Sequence, residues 1–599
     1  MKKTLIVALL IASGSFIQAQ KNTNPRAQWF VDSRYGMFIH WGVYSGAEGY
    51  WKGEKLRYDN DYAEWIYYRN RIDKEEYVTL LNRFDWDQID PEEWVILAKK
   101  AGMKYLTFTA KHHDGFALWD SEVSDYDVAD YTNPSRDIVK ELSRACEKHG
   151  IKFGLYYSHW IDWAHPYGWD HTHEIYDLTK EEYAQYWEEK VIPQMRELLT
   201  QYGTIDMIWF DMWIHHSNAI VTKEQLMQLK NMIRELQPNC LVNSRLGLSM
   251  EEDSDIDFKT LGDNQLGDQK ENFPWQSPAT VSHSWGYHRT DTEWKSVSTL
   301  LQSLISNVSL NGNFMLNIGP RSDGSVPHEM KQRLKKIGQW LDVNGVSVYG
   351  ASAFDLPKDQ HDWGRITKKQ MPGGDTRLYL HLFNWPYNEK LNVTGVTSKP
   401  EKIYMLSDKL KKGLEYEHNG ALTAVKLPDM KTNPYVPVVV MEYEEYPEIR
   451  HGLASKTLSG GFSLTPENAN MMKGDTTLVA AERYGSIPAH IQVKEQSNYT
   501  WQIYVDGPKT LHPDVSYSFQ GDQPAGRIKF VAAGSSLVHD VKPTGMTVGE
   551  PNRDWHIKSF ESHDLGDIKI PEAGYYTISL EIQPEDEPID FQWLWLDER

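Results

Sequence analysis

Between residues 35 and 345 the chain repeats one pattern eight times, a short apolar segment of strand length followed by a stretch of helical periodicity. The apolar segments are Met37–Trp41, Tyr105–Ala110, Phe153–Ser158, Ile205–Asp211, Leu241–Arg245, Ile256–Thr260, Thr280–Tyr287 and Asn313–Gly319. Runs of this kind suit parallel strands buried on both faces. The helices between them carry start and stop signals. Trp94, Leu97, Ala98 and Ala101 form one apolar stripe closed by Gly102, and Ile138, Leu142 and Ala145 form another closed by Gly150. Thr179-Lys-Glu-Glu182 and Thr222-Lys-Glu-Gln225 have the spacing of capping boxes, and a last helix spans Pro327 to Val343. Eight such units predict an α/β chain with a (β/α)8 TIM-like barrel rather than an open doubly wound sheet. The open sheet would carry a Gly-rich phosphate loop after its first strand. Here strand one runs into His40-Trp41-Gly42-Val43-Tyr44-Ser45, which has no such fingerprint.

The barrel does not account for all 599 residues, and a chain of this length divides into several cores. After Gly350 the pattern changes to alternating strands such as Arg377–Phe383, Lys402–Leu406 and Val436–Tyr443, separated by Gly, Pro, Asn and Asp. A Gly/Ser-rich link near Leu458–Phe462 leads to further strands, among them Trp501–Val505, Arg527–Val531, Tyr575–Ile582 and Phe591–Leu596. The expected organisation is a catalytic barrel over 20–350, a β-sandwich over 351–450 and a second β-sandwich over 460–599, a carbohydrate-binding module or a brace for the barrel. Trp593 and Trp595 share one face of the last strand by period two, as a sugar platform or, the preferred reading, a core pair. Residues 1–19 read as a signal peptide: Lys2 and Lys3, an apolar run from Leu5 to Ala12, and Ile17-Gln18-Ala19 before the cut at Gln20. Export to the periplasm or beyond is therefore expected. The apolar run is too short to span a bilayer, so no membrane insertion is expected.

The net charge of −21 argues against nucleic acid or an anionic membrane surface as partner, because both would be repelled over most of the surface. Two cysteines, Cys146 and Cys240, exclude a disulfide framework and a cysteine-based metal cluster, and two reduced core thiols are expected. The 23 tryptophans serve a core, and they also suit a cleft in which the C–H face of a sugar packs on an indole.

A barrel of this type carries its active site at the carboxyl ends of its strands. Those ends hold His40-Trp41, Lys111-His112-His113-Asp114, Tyr156-Tyr157-Ser158-His159, Trp209-Phe210-Asp211, Asn243-Ser244-Arg245 and Ser284-Trp285-Gly286-Tyr287. Histidines, aromatics, one arginine and carboxylates thus converge on one rim. Adjacent residues on a strand point to opposite faces, so His112 and His113 would both ligate a metal only from a loop; hydrogen bonding to sugar hydroxyls uses them more simply. No metal or cofactor is expected. Asp211 ends an almost wholly apolar segment, where a carboxylate costs several kcal/mol unless paired. It is either a structural partner of Arg245 or the nucleophile of a glycoside hydrolase. Retaining hydrolysis needs a second carboxyl roughly 5–5.5 Å away. Asp263, Asp268, Glu271 and Glu64 are the candidates, and spacing does not rank them.

At these residues the chain resembles glycoside hydrolase family 29, the retaining α-L-fucosidases. The likeness covers about residues 27–350. It rests on Tyr35-Gly-Met-Phe-Ile-His-Trp-Gly42, Tyr62-Ala-Glu-Trp65, Lys111-His-His-Asp-Gly-Phe116, Gly154-Leu-Tyr-Tyr-Ser158, Ser284-Trp-Gly-Tyr287 and Gly312-Asn-Phe-Met-Leu-Asn-Ile-Gly-Pro320. The resemblance implies that Asp211 attacks the anomeric carbon, while His40, His112, His113, Tyr157, Trp209 and Arg245 surround the fucose. It further implies that Glu64 and Trp65 complete the pocket and that Trp285 packs near the sugar's methyl group. Many relatives carry Thr-Pro-Glu after strand six, where this chain has Thr260-Leu-Gly-Asp263, so Asp263 is the expected acid/base. A second acidic position of the family, in a Trp-Glu pair before strand seven, is Gln276 here. The implied activity is release of terminal α-L-fucose from a fucosylated oligosaccharide or polysaccharide. An α-L-galactosidase or related exo-glycosidase on algal or plant polysaccharide, and a carbohydrate-binding homologue with little or no catalysis, are the rivals. Linkage, aglycone and oligomeric state leave no mark in the sequence.

Overall fold

The computed structural model of the chain describes residues 24–56, 62–420, 422–479, 487–545 and 558–598. The expected signal peptide lies outside the described residues. No described helix is long and apolar enough to cross a membrane. Contacts divide the chain into two compact units, Met1–Lys295 with Asn311–Gly338, and Ser296–Leu310 with Gln339–Arg599.

The first unit contains the strands of a (β/α)8 barrel. In chain order they are β1 Tyr35–Ile39, β2 Tyr105–Lys111, β3 Lys152–Tyr157, β4 Met207–Trp209, β5 Leu241–Val242, β6 Lys259–Thr260, β7 Trp275–Thr280 and β8 Asn313–Ile318. All pairs are parallel, in the order β5-β4-β3-β2-β1-β8-β7-β6. A parallel bridge between Asn243 and Phe258 joins the two ends and closes the ring. The expected stops are in place. Gly150 caps the helix Ile138–His149 in the left-handed region, and Thr179 and Thr222 make reciprocal caps with Glu182 and Gln225.

Large side chains fill the barrel interior. Phe38, Tyr105, Tyr156, Met207, Trp209, Phe258 and Met315 pack together, and the short helix Gln28–Ser33 inserts Phe30 beneath them. Gly36 makes room for this packing, since a Cβ there would lie 2.1 Å from the Tyr105 ring. Gln276 lies in the same layer. It accepts from Trp209 Nε1 at 2.9 Å and donates to the Tyr105 hydroxyl at 2.8 Å. The family's second acidic position is thus a buried amide that steadies Trp209.

The seventh strand differs from expectation. It runs over Trp275–Thr280, not Thr280–Tyr287. Pro278 interrupts the strand signal in the sequence. Beyond Thr280, side chains take the backbone donors that a ladder would need. Asp291 accepts from the amides of His283 and Ser284 at 3.0 and 2.9 Å, and Glu64 accepts from Gly286 at 2.9 Å. Ser284-Trp285-Gly286 is therefore a loop at the strand's carboxyl end. Cys146 and Cys240 are buried and unbridged.

The second unit holds antiparallel sheets. A five-stranded sheet built from Ser352–Ala353, Gly364–Gln370, Thr376–Leu382, Val438–Tyr443 and Lys402–Met405 shares a core with a three-stranded one, with Leu378, Leu380, Leu391, Val393 and Met441 inside. Six- and seven-stranded sheets after Leu453 enclose Tyr499, Trp501, Phe530, Phe591, Leu594 and Leu596. Trp593 and Trp595 are not a core pair. A bulge opposite Ser516 and Tyr517 shifts the register of the last strand, so Leu594 and Leu596 face inward and both tryptophans lie half-buried on the outer face.

Candidate active site

The carboxyl ends of the barrel strands line one cavity of about 460 Å³, within the range of small-molecule sites. His40, Glu64, Trp65, His112, His113, Trp209, Asp211, Arg245, Asp263 and Trp285 all line it. Of the residues given a role by the resemblance, Tyr157 alone does not. Successive residues of a strand point to opposite sides. Tyr156 therefore faces the cavity, and Tyr157 faces the surrounding helices, where its hydroxyl donates to Gln194 Oε1 at 3.0 Å. The Tyr156 hydroxyl donates to Asp211 Oδ2 at 3.0 Å.

Asp211 lies two residues beyond β4. Asn243 fixes the preceding residue, accepting from the Phe210 amide at 2.9 Å and donating to its carbonyl at 3.0 Å. Trp160 Nε1 donates to the Asp211 carbonyl at 2.8 Å. The carboxylate so aimed receives Arg245 Nη1 on Oδ1 at 2.7 Å, with His113 Nε2 3.5 Å from Oδ2. Burial pushes its pKa up, but the bonds and charges of His113 and Arg245 outweigh burial and hold it well below the usual carboxylate range. Arg245 also reaches Asp263 Oδ1 and the Leu261 carbonyl through Nη2, each at 2.7 Å, and its guanidinium stands 5.2 Å from the Trp209 ring centroid. One planar group thus bridges the two acids. The Asp263 pKa is raised: partial loss of water at the cleft mouth pushes it up, as does the Asp211 charge, against the opposing pull of Arg245. Asp263 is 39 % exposed at the rim, where a group that serves an incoming substrate must be reachable. Asp268 and Glu271 do not line the cavity.

The histidines are oriented by what they touch outside the cavity. Asn317 donates its amide to the Trp285 carbonyl at 2.7 Å, so its Oδ1, 2.7 Å from His40 Nδ1, is the acceptor for that ring nitrogen. The other nitrogen of His40 is left as an acceptor. Burial holds this ring neutral, its pKa pushed down to about 4 despite the Asn317 bond and the Asp211 charge. Ser158 orients His113. Its hydroxyl donates to the Ile161 carbonyl at 2.8 Å and accepts from His113 Nδ1 at 2.7 Å, leaving Nε2 toward Asp211. His112 and His113 leave the strand in a turn that brings both rings to the cavity, 4.4 Å apart. Gly115 permits the turn. Its φ is +73°, and a Cβ there would lie 2.1 Å from Asp162. Asp162 is in turn held by Lys111 and Lys190 at 3.2 and 2.8 Å.

Glu64 is buried in the wall and accepts from the Gly286 amide at 2.9 Å; burial outweighs that bond and pushes its pKa up to about 7. Trp285 packs on Phe38 and His40, with ring centroids 6.0 and 5.1 Å away. Sequence reasoning did not select Phe38, Tyr62, Arg69, Tyr156, His171 or Trp213, which also line the cavity. Phe38 and Tyr156 were available from strand alternation. His171 and Trp213 stand in loops, where no period assigns a direction. His215 and His216, the histidine pair of the Asp211 loop, stand outside the cavity and meet Glu252 Oε1 at 3.3 and 3.1 Å.

The cavity therefore combines an ionised carboxylate, a second carboxyl with a raised pKa, neutral imidazoles at His40 and His112, and aromatic walls. Comparison with known proteins agrees with that chemistry. The family profile "Alpha-L-fucosidase" matches residues 11–346. An α-L-fucosidase from Dictyostelium discoideum is 30 % identical over 372 residues, which are 59 % of this chain and 79 % of that protein. The tissue α-L-fucosidase of Bos taurus is 30 % identical over 66 % of this chain and 83 % of its own length. Among solved structures, an α-L-fucosidase from a Vibrio species superposes with a TM-score of 0.72 at 26 % identity, covering 96 % of this chain and 99 % of that one. A family 29 enzyme from Bacteroides thetaiotaomicron, solved as a trapped covalent intermediate, gives 0.62 at 28 % identity over 70 % and 96 % of the two chains. With the profile spanning more than half of its length and the cavity built from the motifs that define it, this chain belongs to the α-L-fucosidase family of glycoside hydrolases, family 29.

Proposed function

We propose that this protein releases terminal α-L-fucose from a fucosylated glycan with retention, using Asp211 as nucleophile and Asp263 as general acid/base. One observation carries the assignment. A single guanidinium bridges both carboxylates, yet their pKa values move apart, Asp211 down and Asp263 up. A pair of acids driven in opposite directions by their surroundings divides into an ionised member and a proton carrier. One guanidinium with a hydrogen bond to each holds both acids on the same side of the cavity. The covalent intermediate trapped in the Bacteroides relative supports the same course.

In the first step Asp211 attacks the anomeric carbon while the Asp263 proton passes to the glycosidic oxygen, which leaves with the aglycone. In the second, Asp263 takes a proton from water, and the resulting hydroxide cleaves the fucosyl ester and frees Asp211. His40 accepts from a sugar hydroxyl through its bare nitrogen, and Trp285 offers an apolar wall to the C5 methyl group. Asp211→Ala is expected to abolish turnover of an aryl fucoside, on the order of 10⁴-fold or more, with little change in melting temperature. Asp263→Asn should lose activity most on poor leaving groups and regain part of it with azide. Activity retained by Asp211→Ala overturns the nucleophile, and an Asp263→Asn enzyme of normal activity overturns the acid/base.

We also propose export, supported by the Lys2-Lys3 start, the Leu5–Ala12 run and the Ile17-Gln18-Ala19 site. Sequencing the mature N-terminus from the source cell tests this, with Gln20 expected first.

A further inference from the structure

The deep part of the cavity is closed. Phe38, Trp209 and Trp285 are buried, as are His40, His112 and His113. Among the described residues, the cavity reaches the surface at the rim where Asp263 is exposed. The glycosidic oxygen must reach that rim to receive the proton, so the sugar that carries the fucose lies outside it. Two residues absent from the sequence-based site stand at the mouth. Trp213 lines the cavity yet is 44 % exposed, and its indole is set edge-on against Trp160, His171 and His113 at 4.7, 5.3 and 5.8 Å.

His171 is held there against its backbone preference. Its φ is +65°, in the left-handed region that costs a residue with a side chain. The buried carboxylate of Asp170 enforces this turn by accepting from the amides of Thr172, His173 and Ile175 at 3.2, 2.7 and 2.6 Å. The imidazole so placed lies 5.7 Å from Trp65 and 5.3 Å from Trp213, and its buried Nδ1 has no hydrogen-bond partner among the described residues. Partial burial pushes its pKa down to about 4, so the ring is neutral and serves as donor or acceptor. A neutral imidazole lining the cavity beside an exposed indole is the combination that takes a pyranose, a hydroxyl on the ring nitrogen that faces the cavity and a C–H face on the indole.

We infer that His171 and Trp213 form the leaving-group subsite, which takes the saccharide unit to which the fucose is attached. The inference rests on the fucose-releasing function proposed above. It names the aglycone class as a sugar ring rather than a small alkyl or peptide hydroxyl.

The test compares substrates that differ only beyond the glycosidic oxygen. α-L-Fucosyl fluoride leaves a single atom and makes no contact at the mouth. Fucosyl disaccharides, with fucose on each hydroxyl of galactose and of N-acetylglucosamine, fill it, and the best-cleaved linkage serves as probe. Trp213→Ala and His171→Ala are each expected to lower kcat/KM on that disaccharide at least tenfold more than on the fluoride. His171→Asn keeps a residue tolerant of positive φ while removing the ring, and it should show the same selective loss with an unshifted melting temperature. Equal losses on both substrates, or none on either, overturn the subsite. Failure of the wild type to hydrolyse the fluoride overturns the fucosidase reading beneath it.

Discussion

Replacing Tyr156 and Tyr157 separately by phenylalanine removes one hydroxyl from each of two adjacent rings and leaves both shapes intact. The effects should fall on different properties. The Tyr156 hydroxyl bonds a carboxylate oxygen of Asp211 at 3.0 Å, and a hydrogen bond to a charged group contributes about 1.5–3 kcal/mol. The bond holds the carboxylate in its attacking direction, so its loss makes the transition state bear the cost of re-orienting Asp211, up to that energy. The expected loss in kcat/KM is therefore about 10- to 150-fold, carried mainly by kcat. The Tyr157 hydroxyl instead bonds a neutral amide oxygen, Gln194 Oε1, in a wholly buried setting. Its loss leaves a buried acceptor unmet, a cost of about 1–3 kcal/mol in stability and none in the chemical step. Steady-state kinetics on an aryl fucoside with denaturant melts of both variants separate the two effects. A Tyr157→Phe enzyme as impaired in kcat as Tyr156→Phe, or a Tyr156→Phe enzyme within threefold of wild type, would refute the assignment of the inward face.

Further outcomes follow from other positions. Glu64 binds its proton more tightly in the folded state, with a pKa of about 7 against an ordinary value near 4.5, so its contribution to stability falls as pH rises from about 4.5 through 7. Glu64→Gln should remove up to about 3 kcal/mol of that fall, measured as the difference between variant and wild-type melts at pH 5 and pH 8; parallel curves would refute the burial argument. Gly115→Ala forces a Cβ into Asp162 at a positive φ, and should cost about 2 kcal/mol or more together with most activity, checked by melting and turnover. An apolar wall rejects an added hydroxyl weakly, on the order of 10²-fold or less, so wild type should discriminate fucoside from L-galactoside only to that extent, and Trp285→Ala should narrow the ratio. A wider ratio in the variant would move the methyl wall elsewhere.

The alternation of apolar segments with capped amphipathic helices determined the barrel, because each unit hides its apolar surface only by closing on its neighbours. Strand ends were enough to locate Asp211, Arg245 and the histidine pair, since a barrel gathers its strand ends on one rim. What motif matching could not determine was direction and company. Whether Tyr156 or Tyr157 faces the cavity depends on the pleat; strand alternation carries that signal, and motif matching does not. The end of the seventh strand was decided by Asp291, a few residues on, and Glu64, far away in the chain, taking backbone donors. Spacing alone did not separate Asp263 from Asp268 and Glu271; the family resemblance singled it out, and the guanidinium that joins it to Asp211 supplies the physical reason. His171 and Trp213 entered because loops have no period and their positions follow from what packs around them. A sequence states which groups are present at a barrel's rim; burial and the neighbours each group meets set its charge, its tautomer and whether it faces the substrate.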